Sequence, residues 1–151
     1  MLPNSMNFIR AWLGLARLGA PLVAVNTDYM GAFLAHVLNN SRARVLIASA
    51  DYLDRLASIR GDLEYLETVY VAGSDADAEG FLSRRFDAHE DCAAGCDLPG
   101  PTYRDTGCVM YTSGTTGPAK GVLMPHAHLY LFGLGTIEHM GLREDDVFYI
   151  V

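Results

Sequence analysis

The sequence contains no apolar run long enough to cross a membrane and has little positive charge. A transmembrane helix needs about 20 consecutive apolar residues, and no stretch approaches that length. Lys and Arg number 11 against 18 Asp and Glu, giving a formal net charge of -7. Because nucleic-acid-binding surfaces are basic, nucleic acid is a poor candidate partner. These two absences predict a soluble protein without a transmembrane segment.

Cysteine is also scarce. The three cysteines are Cys92, Cys96 and Cys108, an odd number in a chain whose start does not resemble a signal peptide. This usage predicts reduced thiols and a cytoplasmic location. His89 could join Cys92 and Cys96 in a metal-ligand pattern, but the second ligand pair of a structural zinc site is missing. The sequence therefore predicts no metal site.

The apolar content and its pattern along the sequence predict a globular domain with alternating helices and strands. Half of the 151 residues are apolar, enough for one packed core. Helices are predicted over residues 7–18, then shortly after residue 28, and over 51–60, 81–86 and 126–139. Short apolar runs predict strands at PLVAVN, RVLIAS, TVYVAG, GCVMYT, GVLMP and DVFYIV. The alternation predicts a layered α/β fold with a largely parallel sheet flanked by helices.

The first two helices carry specific expectations. Residues 7–18 are apolar nearly all round, which predicts a helix buried on most sides, with Asn4 or Ser5 as the N-cap and Gly19 at its end. The second helix is predicted to start after Thr27 or Asp28 as the cap. Its expected inward face consists of Met30, Phe33, Leu34, Val37 and Leu38.

The chain divides into three parts by composition. Residues 1–86 alternate helix and strand, residues 87–101 form an acidic connector rich in Gly and Pro, and residues 102–151 return to an apolar pattern. The final strand DVFYIV would leave an open apolar sheet edge, which compact proteins avoid. The sequence is therefore expected to be part of a longer protein.

The stretch TSGTTGPAKG at residues 112–121 has four hydroxyl side chains, three glycines and a lysine, and no carboxylate. Glycines allow successive backbone N–H groups to converge on an anion, while hydroxyls and an ammonium add further donors. A carboxylate would repel such a ligand. The pattern therefore predicts a polyphosphate-binding loop. Its candidate residues are Thr112, Ser113, Gly114, Thr115, Thr116, Gly117, Lys120 and Gly121.

Other interpretations of residues 112–121 remain open. A Walker A loop requires G-x-x-x-x-G-K-[ST] followed by a long helix, whereas Lys120 lies between Ala119 and Gly121, and Pro125 follows four apolar residues. The loop is therefore predicted to join two strands. Clusters of Gly, Ser and Thr between strands also form ordinary turns. A kinase or another ATP-using enzyme is a further possibility.

The segment YTSGTTGPAKGV, residues 111–122, resembles the phosphate-binding signature of the adenylate-forming superfamily, which includes acyl-CoA synthetases, nonribosomal peptide adenylation domains and luciferases. Residues 2–48 and 102–151 resemble acyl-CoA synthetases, particularly the carnitine/crotonobetaine-CoA ligase and fatty-acyl ligase branches. The resemblance implies part of the large N-terminal domain of such an enzyme.

This sequence departs from the family pattern in two places. Ala119 stands where the family usually has proline, and His126 with His128 stands where it often has His-x-Asn. Residues two apart in a helix do not share a face, so the histidines are predicted to start a helix and not to form a metal pair.

The resemblance implies an AMP-forming carboxylate–CoA ligase. A carboxylate would attack the α-phosphorus of ATP, and a thiol, CoA or a carrier protein, would then displace AMP. Residues Thr112 to Lys120 would hold the β- and γ-phosphates with Mg2+. The family's adenine-binding, ribose-binding and catalytic-lysine segments are not in this sequence, so no catalytic residue is identified. The chain alone is expected to be inactive and to need the remainder of the enzyme or self-association. The alternative is a noncatalytic nucleotide-binding or interaction fragment.

Overall fold

A computed structural model describes residues 1–86, 99–112 and 118–147, and the structural statements below concern these residues. The helices and strands alternate along the chain. They are α1 (Met6–Leu18), β1 (Leu22–Ala24), α2 (Gly31–Ser41), β2 (Val45–Ser49), α3 (Leu53–Ser58), β3 (Thr68–Ala72), β4 (Leu82–Phe86), β5 (Thr106–Thr112), β6 (Lys120–Pro125) and α4 (His126–Met140). Single 3-10 turns at Ala50–Tyr52 and Arg60–Asp62 flank α3.

Within the described residues, the strands form two three-stranded sheets. The first sheet has the order β1-β5-β6 and the second has the order β2-β3-β4. Pairing is parallel between β1 and β5, β2 and β3, and β3 and β4, and antiparallel between β5 and β6. The predicted α/β class with largely parallel strands is therefore confirmed. The structure adds the division of the strands between two sheets.

The second sheet and helices α2 and α3 enclose the main apolar core. Leu34 and Leu38 of α2, Leu56 of α3, and Val69 and Val71 of β3 are all buried in it. Alternate residues of β3 point into this core because successive side chains of a strand point to opposite faces. A smaller cluster on the first sheet holds Leu22, Cys108 and Met124.

Helix α1 begins and ends as predicted. The side chain of Ser5 accepts a hydrogen bond from the backbone N–H of Phe8 at 3.3 Å, and Gly19 ends the helix in the left-handed conformation with φ of +69°. The prediction that this helix is buried on most sides is wrong, since Leu13 is 65% exposed and Ala11 is its buried residue. A helix lying on a sheet buries only the stripe that faces the strands.

The predicted cap of α2 is also wrong. The helix begins at Gly31 with Met30 as its N-cap, and not after Thr27 or Asp28. The side chain of Asn26 accepts a hydrogen bond from the N–H of Asp28 at 2.9 Å, so this segment forms a local turn.

The buried face of α2 is rotated from the predicted one. Met30 and Phe33 are exposed, at 62% and 64%. The buried residues of α2 are Leu34, Ala35, Val37 and Leu38. Leu34, Val37 and Leu38 are thus confirmed as inward, whereas Met30 and Phe33 were placed there wrongly. The apolar residues of this helix cover more than one face, and only packing selects the face that meets the sheet.

The segment predicted as a helix over 81–86 is a strand. Strand β4 pairs in parallel with β3, with Thr68 opposite Leu82 and Ala72 opposite Phe86. The N–H of Leu82 donates to the carbonyl oxygen of Glu67 at 3.0 Å. A sheet edge offers unpaired donors and acceptors, and pairing with them overrides a weak local helix preference.

Two predicted segments lie partly outside the described residues. They are the acidic connector, at residues 87–98, and the final strand, at residues 148–151. Across residues 1–86, 99–112 and 118–147, no helix has the length and apolar character that crossing a membrane requires.

Candidate functional site

The candidate phosphate-binding stretch lies between two paired strands. Thr112, the last residue of β5, pairs with Lys120, the first residue of β6, and Tyr111 pairs with Gly121. The prediction that this stretch joins two strands is confirmed. Of the predicted site residues, the structure places Thr112, Lys120 and Gly121. The remaining candidates, Ser113, Gly114, Thr115, Thr116 and Gly117, lie outside the described residues.

Thr112 and Lys120 form the last strand pair of this β5–β6 hairpin before the segment that connects the two strands. Both side chains are exposed, and directly opposed residues of an antiparallel pair project from the same face of the sheet. One hydroxyl and one ammonium group are therefore presented together. Both are hydrogen-bond donors, and the ammonium also carries positive charge, so the pair suits an anionic ligand.

Gly121 lies against the side chains of β5. A Cβ built at this position would lie 3.0 Å from Cγ1 of Val109 and 3.2 Å from Cζ of Tyr111. Contacts this short require the neighbouring side chains to move. The absence of a side chain at Gly121 therefore allows the Tyr111 ring to lie across the hairpin.

Helix α2 bonds to β5 and to the residue that precedes β6. The Tyr111 hydroxyl donates a hydrogen bond to Oδ1 of Asn40 at 2.7 Å. Nε2 of His36 lies 2.8 Å from the carbonyl oxygen of Ala119, so it donates to that oxygen. Burial raises the pKa of the Tyr111 phenol, which keeps the hydroxyl protonated as a donor.

Sequence analysis missed His36, Asn40 and Tyr111 as parts of the site. His36 and Asn40 are separated from their partners by 83 and 71 residues. Polar residues four apart on a helix commonly form a solvated face. No local pattern distinguishes these two from such a face.

The first amides of α4 are already bonded. The N–H of His126 donates to the carbonyl oxygen of Asp105 at 3.0 Å, and the N–H of Ala127 donates to that of Tyr103 at 2.9 Å. A phosphate bound at a helix N-terminus needs these donors free. The arrangement therefore differs from a Walker A loop, as the sequence predicted. Helix α4 starts at His126, which confirms the prediction that His126 and His128 begin a helix.

A cavity of about 290 Å³ lies beside the hairpin. It is lined by Ala32, Phe33 and His36 of α2 and by Pro118, which precedes Ala119. The face of α2 that carries His36 is therefore next to the segment leading into β6. The previously considered ligands His89, Cys92 and Cys96 lie outside the described residues, and Cys108 is buried in the core of the first sheet.

Comparison with known proteins gives consistent matches along the chain. A sequence model of the AMP-binding enzyme family matches residues 1–151. The crotonobetaine/carnitine--CoA ligase of Salmonella typhi is 33% identical over 153 residues, covering 99% of this chain and 29% of that ligase.

Solved structures show the same likeness. The crystal structure of an anthranilate CoA ligase in complex with anthranoyl-AMP matches with a TM-score of 0.78 and 30% identity, over 94% of this chain and 27% of that one. A long-chain-fatty-acid-CoA ligase from Archaeoglobus fulgidus matches with a TM-score of 0.72 and 26% identity, over 96% of this chain and 28% of that one. The chain therefore spans less than a third of the length of these ligases.

Proposed function

The chain belongs to the AMP-binding enzyme family, and on that premise we propose that the complete protein is an ATP-dependent, AMP-forming carboxylate–CoA ligase. Its similarity to acyl-CoA ligases in both sequence and fold supports this reaction class. The observation that carries the proposal is the β5–β6 hairpin, which presents Thr112 and Lys120 side by side where the two strands are connected.

In the proposed reaction, a substrate carboxylate oxygen attacks the α-phosphorus of ATP. A bond to phosphorus forms, the bond to the bridging oxygen breaks, and pyrophosphate leaves with its electron pair. The sulfur of CoA then attacks the acyl carbon, AMP leaves, and the thiol proton is released. Carboxylate and triphosphate repel each other, so the protein must neutralise charge and align the reacting groups.

The described residues fit the phosphate side of this reaction. The exposed ammonium of Lys120 would approach the β- and γ-phosphates, and the hydroxyl of Thr112 would donate to a phosphate oxygen. We propose that the loop between them, with Ser113, Gly114, Thr115, Thr116 and Gly117, contributes further hydroxyl and backbone donors, and that Gly121 leaves room at its base. Mg2+ takes oxygen ligands and commonly enters such sites on the nucleotide phosphates, so an exposed hydroxyl such as that of Thr112 suits it.

A substitution at Lys120 tests the phosphate assignment in the complete protein. We expect Lys120→Ala to weaken Mg-ATP binding and to reduce carboxylate-dependent ATP–pyrophosphate exchange. Arg143→Ala, which removes an exposed cation after α4, is the charge-matched control and should leave both unchanged. Unchanged Mg-ATP affinity in Lys120→Ala would contradict the assignment. Release of ADP in place of AMP and pyrophosphate would identify a kinase-type enzyme.

We also propose that the rest of the protein covers helix α4. Leu131, Phe132, Ile137 and Met140 of this helix are all more than half exposed, and such apolar surfaces commonly mark an interface. This chain spans less than a third of the length of its relatives, which is consistent with further sequence that covers α4. We further propose that residues 1–151 alone are inactive. They should show no ATP–pyrophosphate exchange, and detection of carboxylate-dependent exchange with them would contradict this inactivity.

A further inference from the structure

Helix α2 is held firmly by the core of the second sheet. Leu34 and Val37 are fully buried, and Leu38 is 2% exposed. Leu34 and Leu38 belong to the cluster that contains Val69 and Val71 of β3. Close-packed side chains of this kind resist displacement. The helix is therefore a fixed support for whatever its other faces contact.

The face next to the hairpin carries two polar residues one turn apart. His36 and Asn40 are four residues apart and so lie on the same side of α2. Asn40 accepts from Tyr111, the residue before Thr112, and His36 donates to Ala119, the residue before Lys120. The helix thus bonds to the residues that directly precede Thr112 and Lys120.

The bond at Ala119 also orients Lys120. The carbonyl group of Ala119 and the N–H of Lys120 belong to one planar peptide unit. A hydrogen bond that holds the carbonyl oxygen therefore also sets the direction of that N–H. The bond from His36 thus restrains the backbone at Ala119.

We propose that His36 and Asn40 are positioning residues that hold Lys120 and Thr112 in the geometry that binds Mg-ATP. They act through Ala119 and Tyr111 and do not themselves contact the nucleotide. The Tyr111 side chain projects from the opposite face of β5 to that of Thr112. Fixing both residues before binding reduces the conformational entropy that is lost when the ligand binds. This inference rests on the proposed function.

The neighbouring Asn39 provides a matched control. Its side-chain nitrogen donates to the carbonyl oxygen of Asp62 at 2.7 Å, and its side-chain oxygen accepts from the N–H of Glu64 at 3.0 Å. These bonds tie α2 to the segment before β3 and not to the hairpin. Asn39→Ala should therefore lower the melting temperature while leaving Mg-ATP affinity unchanged.

The test uses the complete protein and measures the dissociation constant of Mg-ATP, the KM for CoA and the melting temperature. We expect His36→Leu and Asn40→Ala each to weaken Mg-ATP binding about fivefold, a factor typical of one neutral hydrogen bond. The KM for CoA should stay near the wild-type value. His36→Gln keeps an N–H donor and should restore most of the affinity.

A double-mutant cycle tests the bond at Tyr111 directly. Tyr111→Phe removes only the hydroxyl, so combining it with Asn40→Ala should weaken Mg-ATP binding no more than either change alone. Additive losses would overturn the assignment of this bond. Equal losses in His36→Gln and His36→Leu would overturn the donor role of His36.

Lys120→Ala separates failure of this inference from failure of the proposed function. Wild-type affinity in His36→Leu and Asn40→Ala, together with weak binding in Lys120→Ala, would overturn the positioning role and leave the proposed function intact. Wild-type affinity in all three variants would overturn the phosphate assignment itself, and the positioning role with it. If Asn39→Ala weakened Mg-ATP binding as much as Asn40→Ala does, destabilisation of α2 would explain both losses. That result would also overturn the inference.

Discussion

Gly121 and Tyr111 face each other across the β5–β6 hairpin, and a Cβ at Gly121 would lie 3.2 Å from Cζ of the Tyr111 ring. It would also lie 3.0 Å from Cγ1 of Val109. The ring therefore occupies the space that a side chain at Gly121 would need. From this position, the Tyr111 hydroxyl reaches Asn40. Packing within the hairpin and its attachment to α2 are thus linked.

We expect Gly121→Ala to displace the Tyr111 ring and lengthen its bond to Asn40. Overpacking of this kind costs about 1–3 kcal/mol of folding free energy. Urea unfolding of the complete protein should show that loss, and calorimetry should show weaker Mg-ATP binding. Gly61→Ala is the control, because Gly61 is exposed and a Cβ built there would meet nothing within 4 Å beyond its chain neighbours. Wild-type stability and affinity in Gly121→Ala would contradict this packing.

Leu34 and Phe33 test the orientation of α2. Leu34 is fully buried, and truncation of such a leucine to alanine costs about 2–5 kcal/mol. Phe33 is 64% exposed, so Phe33→Ala should change the free energy of unfolding by at most about 0.5 kcal/mol. Chemical denaturation of both variants measures the difference. Equal losses would mean that α2 buries the face predicted from sequence.

Cys108 should be slow to react with thiol reagents in the native protein. The residue is fully buried, and burial raises the pKa of its thiol, so little reactive thiolate is present at neutral pH. Alkylation with iodoacetamide, followed by peptide mass spectrometry, should label Cys108 rapidly only after denaturation. Rapid labelling of the native protein at this residue would show that the β5 core opens readily.

Asp105 should make stability depend on pH. Its carboxylate accepts from the backbone N–H of Thr102 at 2.7 Å and from the Thr102 hydroxyl at 3.0 Å. These bonds, with a smaller contribution from the charge of His126, lower the pKa of Asp105 in the folded state. A lowered folded-state pKa means that the carboxylate stabilises the fold above its unfolded pKa of about 4. This contribution is lost as the pH falls through the folded-state value.

Thermal unfolding of Asp105→Ala measures this effect. The variant should melt below the wild type at pH 7. The difference should shrink as the pH falls below about 4 and then through the lower folded-state pKa, where the carboxyl of the folded wild type becomes protonated. Asp145→Ala, which removes an exposed carboxylate after α4, serves as the control and should show no comparable trend. A constant difference between Asp105→Ala and wild type from pH 7 to pH 3 would contradict the role of the charge.

Local signals in the sequence were sufficient for part of the fold. Ser5 and Gly19 marked both ends of α1 correctly, because a cap depends on residues within one turn. The apolar runs that became β2, β3 and β5 were equally local. The composition of residues 112–121 predicted a strand–loop–strand segment, and the pairing of Thr112 with Lys120 confirms it.

Packing overrode local preference elsewhere. The segment 82–86 became a strand because β3 offered an edge with which to pair, and that edge is formed by residues distant in sequence. Similarly, α2 contains apolar residues on several sides, so its inward face depended on the position of the second sheet. A pattern of residue types carries no information on which partner surface is present.

The sequence by itself determined that this protein carries the signature of the AMP-binding family and a carboxylate-free stretch suited to phosphate, because both depend on residue identity over a short span. Only the tertiary structure decided which residues support that stretch. His36 meets Ala119 across 83 residues and Asn40 meets Tyr111 across 71. The packing of α2 between the second sheet and the hairpin brings these distant groups within hydrogen-bonding distance.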